Sequence, residues 1–243
     1  MKILVVDIGG TNVKVYATGH LEPVKISSGP RMTPKKMVQE VKEATADWDY
    51  SVVSIGYPGP VAHGKPSHEP ANLGPGWVGF DFKKAFGCPV KIVNDAAMQA
   101  LGSYRGGRML FLGLGTGLGS ALIVDGVLEP MELAHLPYKH GKTFEDYVGA
   151  AGLKRKGEKK WKKSVMEVVA QLKAALQTDY VVLGGGNSKR LTAVPRAVYL
   201  GDNSNAREGG FRLWQSEPER KALAAAGLLN RAAIASTLTA ATA

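Results

Sequence analysis

Asp7-Ile-Gly-Gly-Thr-Asn-Val-Lys14 follows directly on the apolar run Ile3 to Val6. A short apolar run ahead of a Gly-Gly pair reads as a buried strand that delivers a carboxylate to its carboxyl end. The glycines let the backbone turn sharply and expose N–H groups, while Thr11 and Lys14 add a hydroxyl and a charge. Asp7, Gly9, Gly10, Thr11, Asn12 and Lys14 together suit a phosphate accompanied by Mg²⁺. The carboxylate would hold the metal through water, and amides and hydroxyl would hold the oxygens. The run lacks the Gly-Lys-Ser/Thr of a Walker A loop and the G-x-G-x-x-G of a dinucleotide fingerprint. A plain strand–turn–strand with an exposed Asp is the alternative reading of the same residues.

Two further glycine clusters lie downstream. Leu112-Gly-Leu-Gly-Thr-Gly-Leu-Gly119 sits between the apolar runs Met109 to Leu112 and Ser120 to Val124, after which Asp125-Gly126 reads as a hairpin turn. Glycines weaken a strand pair, and close approach of a phosphate to Gly115, Thr116 and Gly117 is a reason to have them. Gly184, Gly185 and Gly186 follow the strand Tyr180 to Leu183, and backbone without side chains there suits a flat ring such as adenine.

The periodicities give a mixed α/β chain. Residues 2–7 and 12–18 read as a strand pair, and His20 to Gly29 as a further strand and turn. Pro34 to Ala46 is helical, with Met37, Val41 and Ala44 on one face. Ser51 to Tyr57 and Pro89 to Val93 are buried strands, the second ending at Asn94-Asp95. A helix from Ala96 to Tyr104 follows, then a junction at Gly106-Gly107, and a long helix spans Glu158 to Leu176. No internal repeat is visible.

Composition limits the possibilities. The chain has 243 residues, enough for one large or two small cored domains. Its 44% hydrophobic and 21% charged content is that of a soluble globular protein. No apolar stretch is long enough to span a membrane, and the N-terminus reads as a strand, not a signal peptide. Cys88 is the single cysteine, so no disulfide forms within the chain, which fits a reducing cytoplasm. Its place before Pro89 and a buried strand reads as an inert packed thiol.

The order of these segments resembles the sugar kinases of the actin-like ATPase superfamily, and within them the ROK family (repressors, open reading frames and kinases). The polyphosphate glucokinase and glucomannokinase subgroup is the most similar part of that family. The residues that carry the resemblance are Gly56-Tyr-Pro-Gly-Pro60, Ala71-Asn-Leu-Gly-Pro-Gly-Trp77, Val93-Asn-Asp95, Leu112 to Gly119, Glu132-Leu-Ala-His-Leu136 and Glu145. It implies an α/β, two-lobed, actin-like (ribonuclease H-like) fold with the site in the cleft. Residues 1–105 would form a small N-terminal lobe and 106–216 a larger C-terminal lobe, with a helix over about 217–236 returning to the first.

It also implies a hexose kinase acting on the 6-hydroxyl of glucose, with Mg²⁺ and with ATP, polyphosphate or both as donor. Mannose and fructose are alternative substrates, and a sugar- or polyanion-binding protein without turnover is the alternative class. Phosphorylating a hydroxyl requires a group to accept its proton. Asp95 stands at a strand's carboxyl end, where ligands bind in α/β sheets, although Asn94-Asp95 also reads as an ordinary helix cap. The resemblance makes Asp95 the general base. Glu132, His135 and Glu145 would converge on the polyol, with Asn72, Asn94 and Gly59 as further contacts, and Gly184 to Gly186 as the nucleotide site. Trp77 reads equally as a pocket wall or as packing. A homodimer is implied, in the cytoplasm.

The chain departs from the family in places. Ala134 replaces the Gly that usually precedes the His, and Ala97 and Met98 follow the Asp where relatives often have Asp or Asn and Ala. These departures bear on substrate preference. Many ROK kinases carry a zinc site of three cysteines and a histidine; His140 alone cannot supply one, so zinc is not expected.

Charge bears on the donor. Lys and Arg number 31 against 21 Asp and Glu, and Lys154 to Lys163 holds seven cations with one glutamate. These cations gather at the N-terminal end of the helix that follows, where its dipole disfavours them, a conflict that a bound polyphosphate would relieve, with Lys159, Lys160, Lys162 and Lys163 as its candidate contacts. A solvated basic face is the alternative. No nucleic-acid motif accompanies the charge, and a DNA-binding domain has no room ahead of the loop at residue 7, so nucleic acid is not an expected partner.

Overall fold

The computed structural model describes residues 1–20, 22–202, 204–216, 218, 219 and 222. The helix expected over about 217–236 falls almost wholly outside them. The contacts divide the chain into two compact units, one formed by Met1–Gly102 with Ala206–Trp214 and the other built on Ser103–Asn205.

In the first unit, β1 (Ile3–Ile8), β2 (Asn12–Ala17) and β3 (Val24–Ser27) form an antiparallel meander. α1 (Pro34–Ala44) then crosses over; Thr33 caps it, Pro34 sits in its first turn, and Met37, Val38 and Val41 are buried. β4 (Val52–Tyr57) lies parallel to β1 and is buried along its whole length, as a central strand covered on both faces must be. A small hairpin of β5 (Val61–Ala62) and β6 (Lys65–Pro66), and α2 (Phe82–Phe86), lead to β7 (Val90–Asn94), parallel to β4, and α3 (Asp95–Ser103). The sheet order is β3-β2-β1-β4-β7. Leu4, Val6, Ile55, Tyr57 and Trp77 lie in its core, each such apolar side chain adding on the order of 1.5–3 kcal/mol by leaving water.

The second unit repeats the plan. β8 (Arg108–Leu114), β9 (Leu118–Val124) and β10 (Val127–Met131) form the meander. Asp125 and Gly126 both have positive φ, the two-residue turn that their sequence predicts. α4 (Phe144–Val148), α5 (Ala150–Lys156) and α6 (Glu158–Ala175) follow, then β11 (Tyr180–Gly184) and β12 (Val198–Leu200), both parallel to β8. The order β10-β9-β8-β11-β12, with the same strand directions, is that of the first unit. The sequence hid this duplication because the connections differ in length and composition.

α7 (Asn205–Arg212) carries residues of the first unit from Ala206 onward. A Cβ on Gly209 would strike the Met98 carbonyl, and one on Gly210 would strike Val5. Backbone therefore lies directly on α3 and β1. Ser54 Oγ donates to the Gly210 carbonyl at 2.6 Å, and Arg212 donates to the Leu101 carbonyl at 3.0 Å.

Candidate functional site

Three strands of the first sheet end at the same edge. Asp7 on β1 is in register with Gly56 on β4, and Gly56 with Val93 on β7. The carboxyl ends of these strands carry the Asp7 loop, the Pro58-Gly59 turn and Asn94-Asp95. Two strand spacings separate Asp7 from the Asn94-Asp95 end, about 10 Å.

The Asp7 side chain is only 15% exposed, and Lys14, its cross-strand neighbour on β2, brings Nζ to 3.9 Å. Burial pushes the Asp7 pKa up and the Lys14 charge opposes this in part. Burial, then the Asp7 charge, push the Tyr16 hydroxyl up to about 12. The turn is held by Gly9 N donating to the Asn12 carbonyl at 3.0 Å and Ser28 Oγ donating to the Gly9 carbonyl at 2.6 Å. Gly10, Thr11 and Asn12 remain exposed. A Cβ on Gly10 would come within 3.3 Å of the Asn72 Cβ, so Asn72 lies against this loop.

Asn94 links two of the strand ends. Its Nδ2 donates to the Gly59 carbonyl at 3.0 Å, and its Oδ1 accepts from Ala96 N at 2.9 Å. Asp95 Oδ1 accepts from the same N–H at 2.7 Å. The cap is therefore real and belongs to Asn94, the residue before α3, while Asp95, the first residue of the helix, turns one carboxylate oxygen to the same N–H. Asp7, Gly9 to Asn12, Gly59, Asn72, Asn94 and Asp95 thus gather at one edge of one sheet.

Sequence reading missed what orders the segment carrying Asn72. Glu69 accepts from Trp77 N at 3.1 Å and Val78 N at 3.0 Å. The Val78 and Trp77 N–H groups hold its carboxyl below the usual range. No residue-type pattern marks this clamp, since its partners are backbone amides. Trp77 is fully buried, packs on Tyr57 and Phe82, and donates Nε1 to the Gly74 carbonyl at 2.7 Å. It is a core residue. Ala97 and Met98 are likewise buried, Met98 against Gly56. Burial pushes the half-buried Cys88 thiol up, away from a reactive thiolate.

In the second unit the glycine motifs meet. Gly115 N donates to the Gly117 carbonyl at 3.1 Å, closing the turn between β8 and β9. Asn187 Nδ2 donates to the Gly115 carbonyl at 3.0 Å. Gly185 has φ 80°, and a Cβ there would lie 2.6 Å from the Leu114 carbonyl oxygen. The Gly184 to Gly186 turn thus lies on the glycine loop.

Glu145 also reaches that loop. Its Oε2 accepts from Leu118 N at 3.0 Å, and a Cβ on Gly117 would run into its carboxylate. A side chain at 117 would therefore have to push the Glu145 carboxylate off the Leu118 amide, a contact the sequence reading did not include. Glu132 and His135 flank and end a 3-10 turn, Leu133–His135, in which residues three apart lie above one another. Both are exposed, and neither side chain makes a hydrogen bond or ion pair among the described residues. Phe144 N donates to the Leu136 carbonyl at 3.0 Å, which ties this turn to the helix bearing Glu145. Ala134 points its methyl group into the core.

The basic run is not one helix start. Lys154, Arg155 and Lys156 occupy the last turn of α5, where the dipole favours cations, and Gly157 at φ 75° breaks the chain before α6. The expected conflict with the dipole therefore holds only for Lys159, Lys160, Lys162 and Lys163. Among the described residues no three or more His, Cys, Asp or Glu side chains gather to hold a metal ion, and no helix is long and apolar enough to cross a membrane.

Two units of this topology, each with a glycine turn at the carboxyl end of its first strand, define the actin-like ATPase fold. The ROK family model matches residues 3–129, and the chain belongs to the ROK family. It is 29% identical over 208 residues to a polyphosphate glucokinase of Mycobacterium tuberculosis, covering 76% of this chain and 77% of that protein. Among solved structures it is similar to the inorganic polyphosphate/ATP-glucomannokinase of Arthrobacter sp. strain KM. The TM-score is 0.72 and the identity 25%, over 86% of this chain and 96% of that one. A ROK family glucokinase from Streptomyces griseus, solved with glucose and AMPPNP, shares the fold at TM-score 0.67 and 18% identity, over 88% and 99%.

Proposed function

We propose that this protein is a hexose kinase that transfers a phosphoryl group from polyphosphate, ATP or both to the 6-hydroxyl of glucose. The observation that carries the reading is the shared sheet edge. Register sets the backbone at Asp7 two strand spacings, about 10 Å, from the Asn94-Asp95 end, a separation that suits a phosphoryl group and a hydroxyl held between the two. The names of the relatives, polyphosphate glucokinase and polyphosphate/ATP-glucomannokinase, supply the substrate classes.

In this reading Asp95 accepts the proton of the sugar hydroxyl as the phosphoryl group arrives. The bond it accepts from Ala96 N fixes the carboxylate's direction, and Asn94, held on the Gly59 carbonyl, orients the sugar beside it. Asn72, Glu132, His135 and Glu145 supply further partners, since each buried sugar hydroxyl needs one. Gly9, Gly10, Thr11, Asn12 and Lys14 hold phosphate oxygens, as do Gly115, Thr116 and Gly117. Gly184 to Gly186 offer a flat backbone to a nucleotide base.

Asp7 fits Mg²⁺. Among the described residues its buried carboxylate has one cation, Lys14 at 3.9 Å, to offset the cost of charge, and Mg²⁺ takes one or two carboxylates with water and phosphate for the rest. Asp7 would hold the ion through water, and the bound ion would neutralise phosphate charge.

The test is formation of glucose 6-phosphate with Mg²⁺, run in parallel with ATP and with long-chain polyphosphate. Turnover with either donor is the expected result. Absence of turnover with glucose, mannose and fructose, alongside measurable sugar affinity, would contradict the reading in favour of a binding protein.

A further inference from the structure

Folding divides the basic stretch into two faces of unlike character. On α6, Lys160, Lys163 and Glu167 recur at helical spacing on one side, and Glu158 and Lys162 on another. The second side is balanced: Glu158 pairs with Lys162 at 2.7 Å and with Arg190 at 3.0 Å. The first is not. Glu167 accepts from Lys139 Nζ at 2.6 Å and Tyr138 Oη at 2.5 Å. Lys156 Nζ stands 3.5 Å from the centroid of the Tyr147 ring, and Arg155 lies 5.8 Å over the same ring while donating to the Asp146 carbonyl. Tyr138 and Tyr147 meet edge to face at 4.8 Å, tying both groups into one patch.

Five cations therefore surround one carboxylate, Glu167, because Asp146 is committed to the Thr143 cap of α4. Desolvation and the charges of Arg155, Lys139 and Lys160 push the Lys156 ammonium's pKa down, so these groups feel one another. Lys160 and Lys163 make no ion pair among the described residues. The patch also adjoins the glycine loop through α4, whose Glu145 accepts from Leu118 N and whose Tyr147 lies beneath Lys156. One helix diameter, roughly 10–12 Å, separates them. A nucleoside triphosphate has only three phosphates, whereas a linear polyphosphate continues past the loop and around the helix.

We propose that Lys139, Arg155, Lys156, Lys160 and Lys163 form a subsite for the distal phosphates of a polyphosphate chain whose reacting end lies at the Gly115 to Gly117 loop. The proposal rests on the phosphoryl-transfer reading and names where its polymeric donor is held. It excludes Lys162, which pairs with Glu158 on another side of α6, while Lys159, one turn before Lys163, borders the patch. Single-stranded nucleic acid fits less well: the two rings lie under the cations and offer no exposed stacking platform.

The test is a calorimetric titration of the full chain without sugar, so that nothing turns over. The probes are tripolyphosphate, long-chain polyphosphate and a single-stranded oligoribonucleotide. Long-chain polyphosphate is expected to bind at least about ten-fold tighter than tripolyphosphate, because several weak charge contacts add. Lys139→Gln/Lys160→Gln/Lys163→Gln should erase that preference. Lys160→Gln/Lys163→Gln, which leaves the Glu167 ion pair intact, should weaken long-chain binding by about three- to five-fold. Lys162→Gln/Arg190→Gln, on the Glu158 side, should keep the full preference. Equal binding of both phosphate lengths, equal losses from the two double variants, or oligoribonucleotide binding as tight as polyphosphate would overturn the proposal. A protein that binds long polyphosphate in this way yet phosphorylates no sugar would sink the kinase reading and leave the subsite standing.

Discussion

The first hairpin of each unit occupies the same place in the same topology, yet the two turns carry opposite electrostatic designs. Between β1 and β2 the turn brings its own charges, Asp7 and Lys14, as a cross-strand pair with the carboxylate nearly buried. Between β8 and β9 the turn Gly115-Thr-Gly117 has no ionisable residue and borrows a carboxylate, Glu145, from α4. A buried carboxylate facing one partial partner is suited to a cation and its phosphate. A neutral turn whose Leu118 amide is already taken is suited to shape, holding a phosphate by the backbone and hydroxyl that remain. One architecture therefore supports a charged cradle and an uncharged one, and the difference lies in which element supplies the anion.

The sharpest way to break this comparison is to fill the second turn. Gly117→Ala would drive a methyl group into the Glu145 carboxylate and push it off the Leu118 amide, and losing that one charge-assisted hydrogen bond costs on the order of ten-fold in kcat/KM. Gly115→Ala meets no protein atom, so it should leave Glu145 on the Leu118 amide and Tm unchanged, and raise donor KM through the methyl group set against the phosphate alone. Equal effects on Tm and in steady-state kinetics would show that Glu145 does not shape the loop.

The charged turn should show a trade of stability against function. Burial raises the Asp7 pKa, so the folded protein resists its ionisation at neutral pH. Asp7→Asn is expected to raise Tm at pH 7 while phosphoryl transfer is lost. The sign follows from the raised folded pKa: wild-type stability from this group is fully present below the unfolded value of 3.8 and is lost as pH rises through the folded value. The gap between variant and wild type in calorimetry should therefore close in acid. A lower Tm for Asp7→Asn at pH 7 would mean that the Lys14 attraction outweighs burial.

The smallest effect separates the two roles open to Glu145. Glu145→Gln keeps an acceptor for Leu118 N but removes a negative charge beside the loop. Donor KM should fall by about two- to five-fold, the scale of one exposed charge interaction. A rise in sugar KM with donor KM unchanged would assign Glu145 to the sugar alone.

The elements were legible wherever local chemistry dictates them. Ile3 to Val6 ahead of Gly-Gly, the positive-φ turn Asp125-Gly126 and the Pro34 helix start each carry their own signal. Less legible was anything that depends on partners distant in sequence. Glu69 looks like one more surface acid until its carboxylate is seen on the Trp77 and Val78 amides. Trp77 in a Gly-Pro-Gly loop read equally as wall or core, and burial under Tyr57 and Phe82 decides it. The basic run read as one block because the break lies in the φ of Gly157. The duplication of the sheets was hidden because topology, not residue identity, is what repeats.

Asp95→Asn tests the central claim most directly. Asn94, which caps α3, is untouched, and Asn at 95 keeps an acceptor for Ala96 N, so the α3 start should persist while the base is removed. Glucose binding by calorimetry should be unchanged, and kcat for glucose 6-phosphate formation should fall by about 10²–10⁴ with every donor that supports turnover. A variant that retains near wild-type kcat would show that the proton is taken elsewhere and that the edge of the first sheet is not where the chemistry is done.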